Sequence, residues 1–180
     1  MIKQFIQGFC AVFVLGFLLS TTVNAQTAVP AEGSDAPAFK LTSNEGKQVS
    51  LKDYKGKHVV LYFYPKNFTS GCTLEAKNFE RDIAKYEAAK AVVIGVSVDT
   101  AESHKEFCTK EGLSFKLLSD TDASVSTAYG SVMEYNGAKL SARNTFIIDG
   151  KGKIVKVFTK VKPSGHSDEV LAALAELKKS

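Results

Sequence analysis

The chain has 180 residues, enough for one ordinary domain and too few for two full ones. Its 23 basic and 19 acidic side chains leave +4, too slight a balance to argue for nucleic acid or an anionic membrane surface. Three cysteines are too few for a disulfide scaffold.

The first 25 residues read separately from the rest. Lys3 is their one charge, Phe9 to Leu19 is an apolar run containing Cys10, and Val23-Asn24-Ala25 is a small-x-small cleavage pattern. These are the three parts of a secretory signal peptide. Cleavage after Ala25 takes 25 of the 180 residues, leaving 155, and removes Lys3, leaving a net charge of +3. The reading predicts an exported chain, periplasmic or secreted, with no stable membrane contact after cleavage. A signal retained as an anchor is the rival. Residues 26–35, with Pro30 and Gly33, read as a flexible arm, and residues 36–180 as the folded domain.

Within that domain, Phe39–Thr42 and Gln48–Leu51 flank Asn44-Glu45-Gly46-Lys47, a hairpin signal. Lys52–Lys57 is a short polar turn. His58–Tyr64 is continuously apolar, β-branched and aromatic, as a strand buried on both faces should be, and Pro65 stops it. After a loop to Gly71 the pattern becomes helical from Cys72, with Ala76, Phe79, Ile83 and Tyr86 on one face. Ala91–Val98 is a second buried strand. Asp99 or Thr100 caps a helix running to about Glu111, which Gly112 ends. Phe115–Leu118 reads as a strand and Thr121–Tyr129 as a helix. Arg143–Asp149 and Lys153–Thr159 pair around Gly150-Lys151-Gly152, and Ser167–Lys179 is an amphipathic helix. Crossover units followed by a hairpin predict an α/β fold, a central mixed sheet with helices on both faces and an N-terminal β-hairpin.

Cys72 falls where a buried strand has ended and a helix begins. Open α/β sheets bind ligands there, and a helix N-terminus stabilises a thiolate. The flanking residues are Tyr62-Phe63-Tyr64-Pro65-Lys66-Asn67-Phe68-Thr69-Ser70-Gly71-Cys72-Thr73-Leu74-Glu75. This stretch resembles the active-site loop of peroxiredoxins, Pro-x-x-x-Thr-x-x-Cys, with Pro65, Thr69 and Cys72 at the matching places. The Gly-Cys-Thr setting is similar to the bacterioferritin-comigratory-protein, or Q-type, branch. Gly95–Asp99, Leu117–Asp120, Tyr129-Gly130 and Arg143–Asp149 extend the likeness in order, over roughly Gly33 to Leu177.

The resemblance implies a thioredoxin-like fold and thiol-dependent reduction of hydrogen peroxide or organic hydroperoxides, with no cofactor and no metal. Cys72 would be the nucleophile that becomes a sulfenic acid. Thr69 would accept from the peroxide O–H and donate toward the thiolate or leaving oxygen, and Arg143 would hold the charge. Pro65 and Gly71 would shape the substrate pocket, and Glu75 would orient an arginine. Read without the family, Thr69 is a helix-capping hydroxyl and Arg143 a surface charge.

Many Q-type members carry a second cysteine five residues after the first. Lys77 stands there in this chain. Some place it on the next helix, which implies that Cys108 is the resolving cysteine. The alternative is a core thiol. His104, four residues before Cys108, makes too small a set for a metal. A dithiol reductase would want cysteine at Glu75, and a copper carrier of this fold would want one at Ala76. A holdase stays open. The implied partners are a hydroperoxide and a thioredoxin-like or other exported thiol reductant, acting on a monomer.

Overall fold

The computed structural model of the chain describes residues 28–179. The predicted signal peptide and Cys10 lie outside the described residues.

The buried apolar runs form the centre of a seven-stranded mixed sheet. β3 (His58–Phe63) and β4 (Ala91–Ser97) pair in parallel, and β4 pairs in parallel with β5 (Lys116–Ser119). Antiparallel strands complete it: β1 (Lys40–Ser43) and β2 (Gln48–Ser50) beyond β5, and β8 (Thr145–Ile148) and β9 (Ile154–Phe158) beyond β3. The order across the sheet is β2-β1-β5-β4-β3-β8-β9. This is the thioredoxin-like arrangement.

Alternation along β3 divides the core in two. Val60 and Tyr62 face a layer built from α1 (Ser70–Arg81), α2 (Ile83–Ala88), α3 (Ala101–Glu111) and α5 (His166–Leu177). Val59, Leu61 and Phe63 face Phe39, Val125 and Tyr129, the last two on and just after α4 (Ser124–Ala128). Helices therefore cover both faces, four against one. α3 begins where Thr100 Oγ1 accepts from the Ser103 N–H and ends at Gly112, whose φ of 68° permits the left-handed turn.

Three segments depart from the sequence reading. The helix expected to run on past Phe79 breaks at Asp82, which is buried and accepts from Arg81, Lys85 and Ser167. The apolar period continues across the break, so periodicity alone does not reveal it. A hairpin, β6 (Val132–Tyr135) and β7 (Ala138–Ser141), forms a separate two-stranded sheet that the reading passed over. Asn136-Gly137, both at positive φ, is the turn signal that could have found it. Finally, the end of the predicted loose arm is tied down. Gly33 donates to the Ile154 carbonyl at 2.7 Å, Ala36 to Gly152 at 2.9 Å, and Asp35 pairs with Lys153 at 2.8 Å.

Candidate active site

The site lies at the carboxyl end of β3. Pro65 stands half-buried just past the strand, and the chain turns through Asn67 and Phe68 into α1. Thr69 is the residue before α1, and its backbone carbonyl accepts the first helical bond, from Thr73, at 2.9 Å. Cys72 is thus the third helical residue. Its side chain lies in the first turn, where amide N–H groups lack helical acceptors and the helix carries partial positive charge.

Cys72 is 1% exposed and is a free thiol. Arg143 reaches it from the residues just before β8. One guanidinium nitrogen, Nη2, lies 3.2 Å from Cys72 Sγ, and Nη1 donates to Glu75 Oε2 at 2.6 Å. Cys72 and Glu75 are three apart on α1 and present one face, so a single planar fork spans both. Backbone bonds on either side fix the arginine. Val161 donates to the Arg143 carbonyl at 3.0 Å, and Phe63 donates to the Asn144 carbonyl at 2.8 Å.

Gly71 makes room for this fork. A Cβ there would stand 2.9 Å from Arg143 Nη2 and 3.6 Å from Pro163 Cγ. Pro163 belongs to a wall that sequence reasoning missed. Its carbonyl accepts from Asn78 Nδ2 of α1 at 3.1 Å.

Thr69 differs from expectation in one respect. Its hydroxyl does not cap α1. It donates to the Lys66 carbonyl at 3.0 Å, on the exposed side of the loop. With its proton committed there, the oxygen retains lone pairs that can accept from a peroxide O–H, and a proton for the thiolate is not available in this arrangement.

Glu75 is buried, and burial raises its carboxyl to about 7 against the pull of Arg143. Among the described residues its second oxygen, Oε1, has no partner.

The loop is pinned to α3 by residues the sequence reading did not single out. Asn67 is 3% exposed. Its backbone N–H donates to Asp99 at 2.9 Å, its Nδ2 to Ser103 Oγ at 2.9 Å, and its Oδ1 accepts from Tyr64 Oη at 2.7 Å. His104 completes the cluster. Its Nε2 faces the Leu118 carbonyl at 3.2 Å, which assigns the proton to Nε2 and leaves Nδ1 to accept from Asn67 Nδ2 at 3.1 Å, with Tyr64 Oη 3.2 Å from the same nitrogen. Phe68 holds a φ of 61°, uncommon for an aromatic residue, with its ring against Phe107 at 5.1 Å and under Lys110 Nζ at 5.4 Å.

Cys108 is on α3, fourth from the helix end, and joins the same core cluster as Cys72. It is 7% exposed, and burial pushes its thiol up to about 11, with Glu80 and Glu45 adding to the shift. α1 meets the end of α3 through Lys77–Glu111 at 3.2 Å and through Glu80, which accepts from the Ser114 N–H at 2.8 Å.

A thiol clamped by an arginine at a helix start, behind a Pro-x-x-x-Thr-x-x-Cys loop, has counterparts in known proteins. The AhpC/TSA family model matches residues 33–157. The chain belongs to the AhpC/TSA family. A bcp peroxiredoxin of Helicobacter pylori is 45% identical over 146 residues, 79% of this chain and 96% of that one. A solved PrxQ variant from Xylella fastidiosa superposes with a TM-score of 0.80 at 32% identity, over 84% of this chain and 99% of the other. The bacterioferritin comigratory protein of Xanthomonas campestris, solved in work on its alkyl peroxide reduction activity, gives 0.72 at 37% identity, over 77% and 90%. Within the family the chain falls in the Bcp/Q peroxiredoxin branch and is a thiol-dependent peroxidase.

Proposed function

We propose that Cys72 is the peroxidatic thiol and Cys108 the resolving thiol of an exported two-cysteine peroxidase acting on hydrogen peroxide and organic hydroperoxides. The Arg143 fork, 3.2 Å from Cys72 Sγ and bonded to Glu75, carries this reading. A permanent cation beside a helix-start sulfur favours the thiolate and is already aimed where negative charge develops.

In the first step the Cys72 thiolate attacks the terminal peroxide oxygen. An S–O bond forms, the O–O bond breaks, and its electron pair leaves on the other oxygen, which takes up through solvent the proton that Cys72 released on ionising and becomes water or an alcohol. Thr69 accepts from the peroxide O–H, and Arg143 stabilises the charge passing from sulfur to oxygen. Pro65 and Gly71 bound the approach. Exposed Phe68 and Leu74 beside the loop provide apolar surface that suits an alkyl chain, in keeping with the alkyl peroxide activity described for the Xanthomonas relative.

In the second step Cys108 attacks the sulfur of the Cys72 sulfenic acid. The S–S bond forms as the S–O bond breaks, and the hydroxide leaves with the Cys108 proton as water. An exported dithiol of the thioredoxin kind then returns both thiols at the cost of its own oxidation. Support for Cys108 is its place in the same core cluster as Cys72 and in an end turn of its helix, where local opening costs far less than global unfolding. Support for export is the sequence of residues 1–25. The reading takes the enzyme as a monomer.

Stopped-flow peroxide consumption with Cys72→Ser and Cys108→Ser tests this. Cys72→Ser should lose the reaction. Cys108→Ser should reduce one peroxide, then stall as sulfenic acid and over-oxidise. Residual turnover of Cys72→Ser near the wild-type rate would refute the assignment.

A further inference from the structure

Among the described residues, two buried side-chain polar atoms have no hydrogen-bond partner: Glu75 Oε1 and Tyr62 Oη. A buried hydroxyl left unpaired is costly, and phenylalanine would fill the same volume without that cost. Tyr62 is 1% exposed. Its ring is fixed by Phe79 at 4.8 Å, Tyr64 at 5.4 Å and Phe115 at 6.1 Å between centroids. Its hydroxyl lies over Gly95 of β4, where a Cβ would come within 2.8 Å of Oη and 2.6 Å of Leu117. The glycine thus leaves open the place that the hydroxyl occupies.

That place is in the core layer shared by Cys72 and Cys108. Burial holds this hydroxyl in its protonated form, and negative charge on Tyr64, Glu75, Cys108 or Cys72 would reinforce that. The reaction proposed above lacks one thing in the reduced state. Among the described residues no hydrogen bond to Cys108 Sγ is made, and its thiol must ionise in order to attack.

We infer that the Tyr62 hydroxyl is the donor for the resolving step, hydrogen-bonding Cys108 as it becomes a thiolate and closes on the Cys72 sulfenic acid. The inference rests on the reading of Cys108 as the resolving thiol. The bond is absent while Cys108 is a protonated thiol in an intact helix and forms when the end turn of α3 opens. The hydroxyl keeps its proton throughout. The Cys108 proton leaves with the hydroxide from Cys72 as water, so the step remains balanced. Tyr62 stabilises the charge without taking part in the proton account.

Tyr62→Phe tests it, because it removes one oxygen and leaves the ring. Single-turnover experiments follow Cys72 oxidation and disulfide formation separately, with Cys108→Ser alongside. Disulfide formation relative to Cys72 oxidation should slow by about tenfold or more in Tyr62→Phe, as expected for a lost bond to a charged group. The pH midpoint of disulfide formation should move upward, since the thiolate has lost its donor. The groups facing this pair are Cys72, Glu75 and Glu80 of α1, Tyr64 after β3 and Glu45 of the β1–β2 turn, all retained in the variant. The thermal midpoint should hold or rise, because a buried orphan has gone. A hydroxyl with only a structural role would alter the thermal midpoint and leave the pH profile in place.

If Tyr62→Phe forms the disulfide at the wild-type rate and pH midpoint, the inference fails while the two-cysteine reading stands. If it slows Cys72 oxidation instead, the hydroxyl serves the first step and the inference is wrong. If Cys108→Ser turns over like wild type, the resolving thiol is lost and the inference with it.

Discussion

At the scale of single residues, the Arg143 fork organises the site. Removing one preorganised donor typically costs about 10²–10³ in rate. Arg143→Ala should slow Cys72 oxidation by that order, measured as the second-order rate with peroxide, with a much smaller change in thermal midpoint. Gly71→Ala makes a gentler test. Its added Cβ would stand 2.9 Å from Nη2, so the guanidinium must shift by a few tenths of an ångström. A rate loss of about tenfold with the fold intact is the expected outcome, since small misplacements near the reacting atoms are costly. Glu75 carries a pH dependence of defined sign. Its carboxyl is raised to about 7 in the folded chain. From the usual carboxylate range up to about 7 the folded state therefore holds a proton that the unfolded state has released. The stability linked to it is present at low pH and lost as pH rises through about 7. Urea unfolding at pH 5.5 and 8 should show Glu75→Gln gaining on wild type at the higher pH, by about 1 kcal/mol or more. No difference between the two pH values would mean that the carboxyl is ionised throughout.

At the scale of elements, the loop before α1 and the end of α3 are joined by contacts that have to loosen before two sulfurs can meet. Lys77–Glu111 and the Glu80–Ser114 bonds tie α1 to that end of α3. Pairs of this exposed kind contribute about 0.2–1 kcal/mol. Glu80→Ala should therefore speed disulfide formation by about two- to fivefold in rapid-quench experiments, the more so because Glu80 also opposes ionisation of Cys108. Asn67 works at the other end of α3. Asn67→Ala strips partners from Tyr64, Ser103 and buried His104 and should cost about 1–3 kcal/mol in urea unfolding. Burial holds His104 and His166 below the usual histidine range. The unfolded chain binds more protons than the folded one below about pH 6.5, so their contribution is lost as pH falls below that value. The strands most legible in the sequence are β3 and β4, because continuous Val, Ile and aromatic residues leave no other reading. β6–β7 escaped because residues 133–139 are exposed and lack a one-sided apolar pattern, with only Asn136-Gly137 marking the turn. In the candidate site, the meeting of Cys72, Gly71, Glu75 and Arg143 was legible from spacing and family likeness. Asn67, Tyr62 and Pro163 were not, since their importance arises from partners distant in the chain.

At the scale of the whole molecule, parallel pairing of β3 with β4 and of β4 with β5 brings α1 and α3 onto the same face, so two cysteines 36 residues apart share one core layer. Register matters here, because Tyr62 pairs with Gly95 and so has room for its hydroxyl. The proposed export belongs to this scale too. Intact-mass measurement of the protein recovered from its native compartment should give a chain beginning at Gln26, whereas retention of residues 1–25 would favour an anchored form. The central claim, that Cys72 and Cys108 form a working pair, is tested most directly by peptide mapping of wild-type protein after one equivalent of peroxide. The account predicts a single cross-linked peptide joining Cys72 to Cys108 within one chain, and its disappearance on reduction. Recovery of Cys108 as an unmodified thiol, in protein that turns over normally with an external thiol, would contradict it and leave a one-cysteine peroxidase.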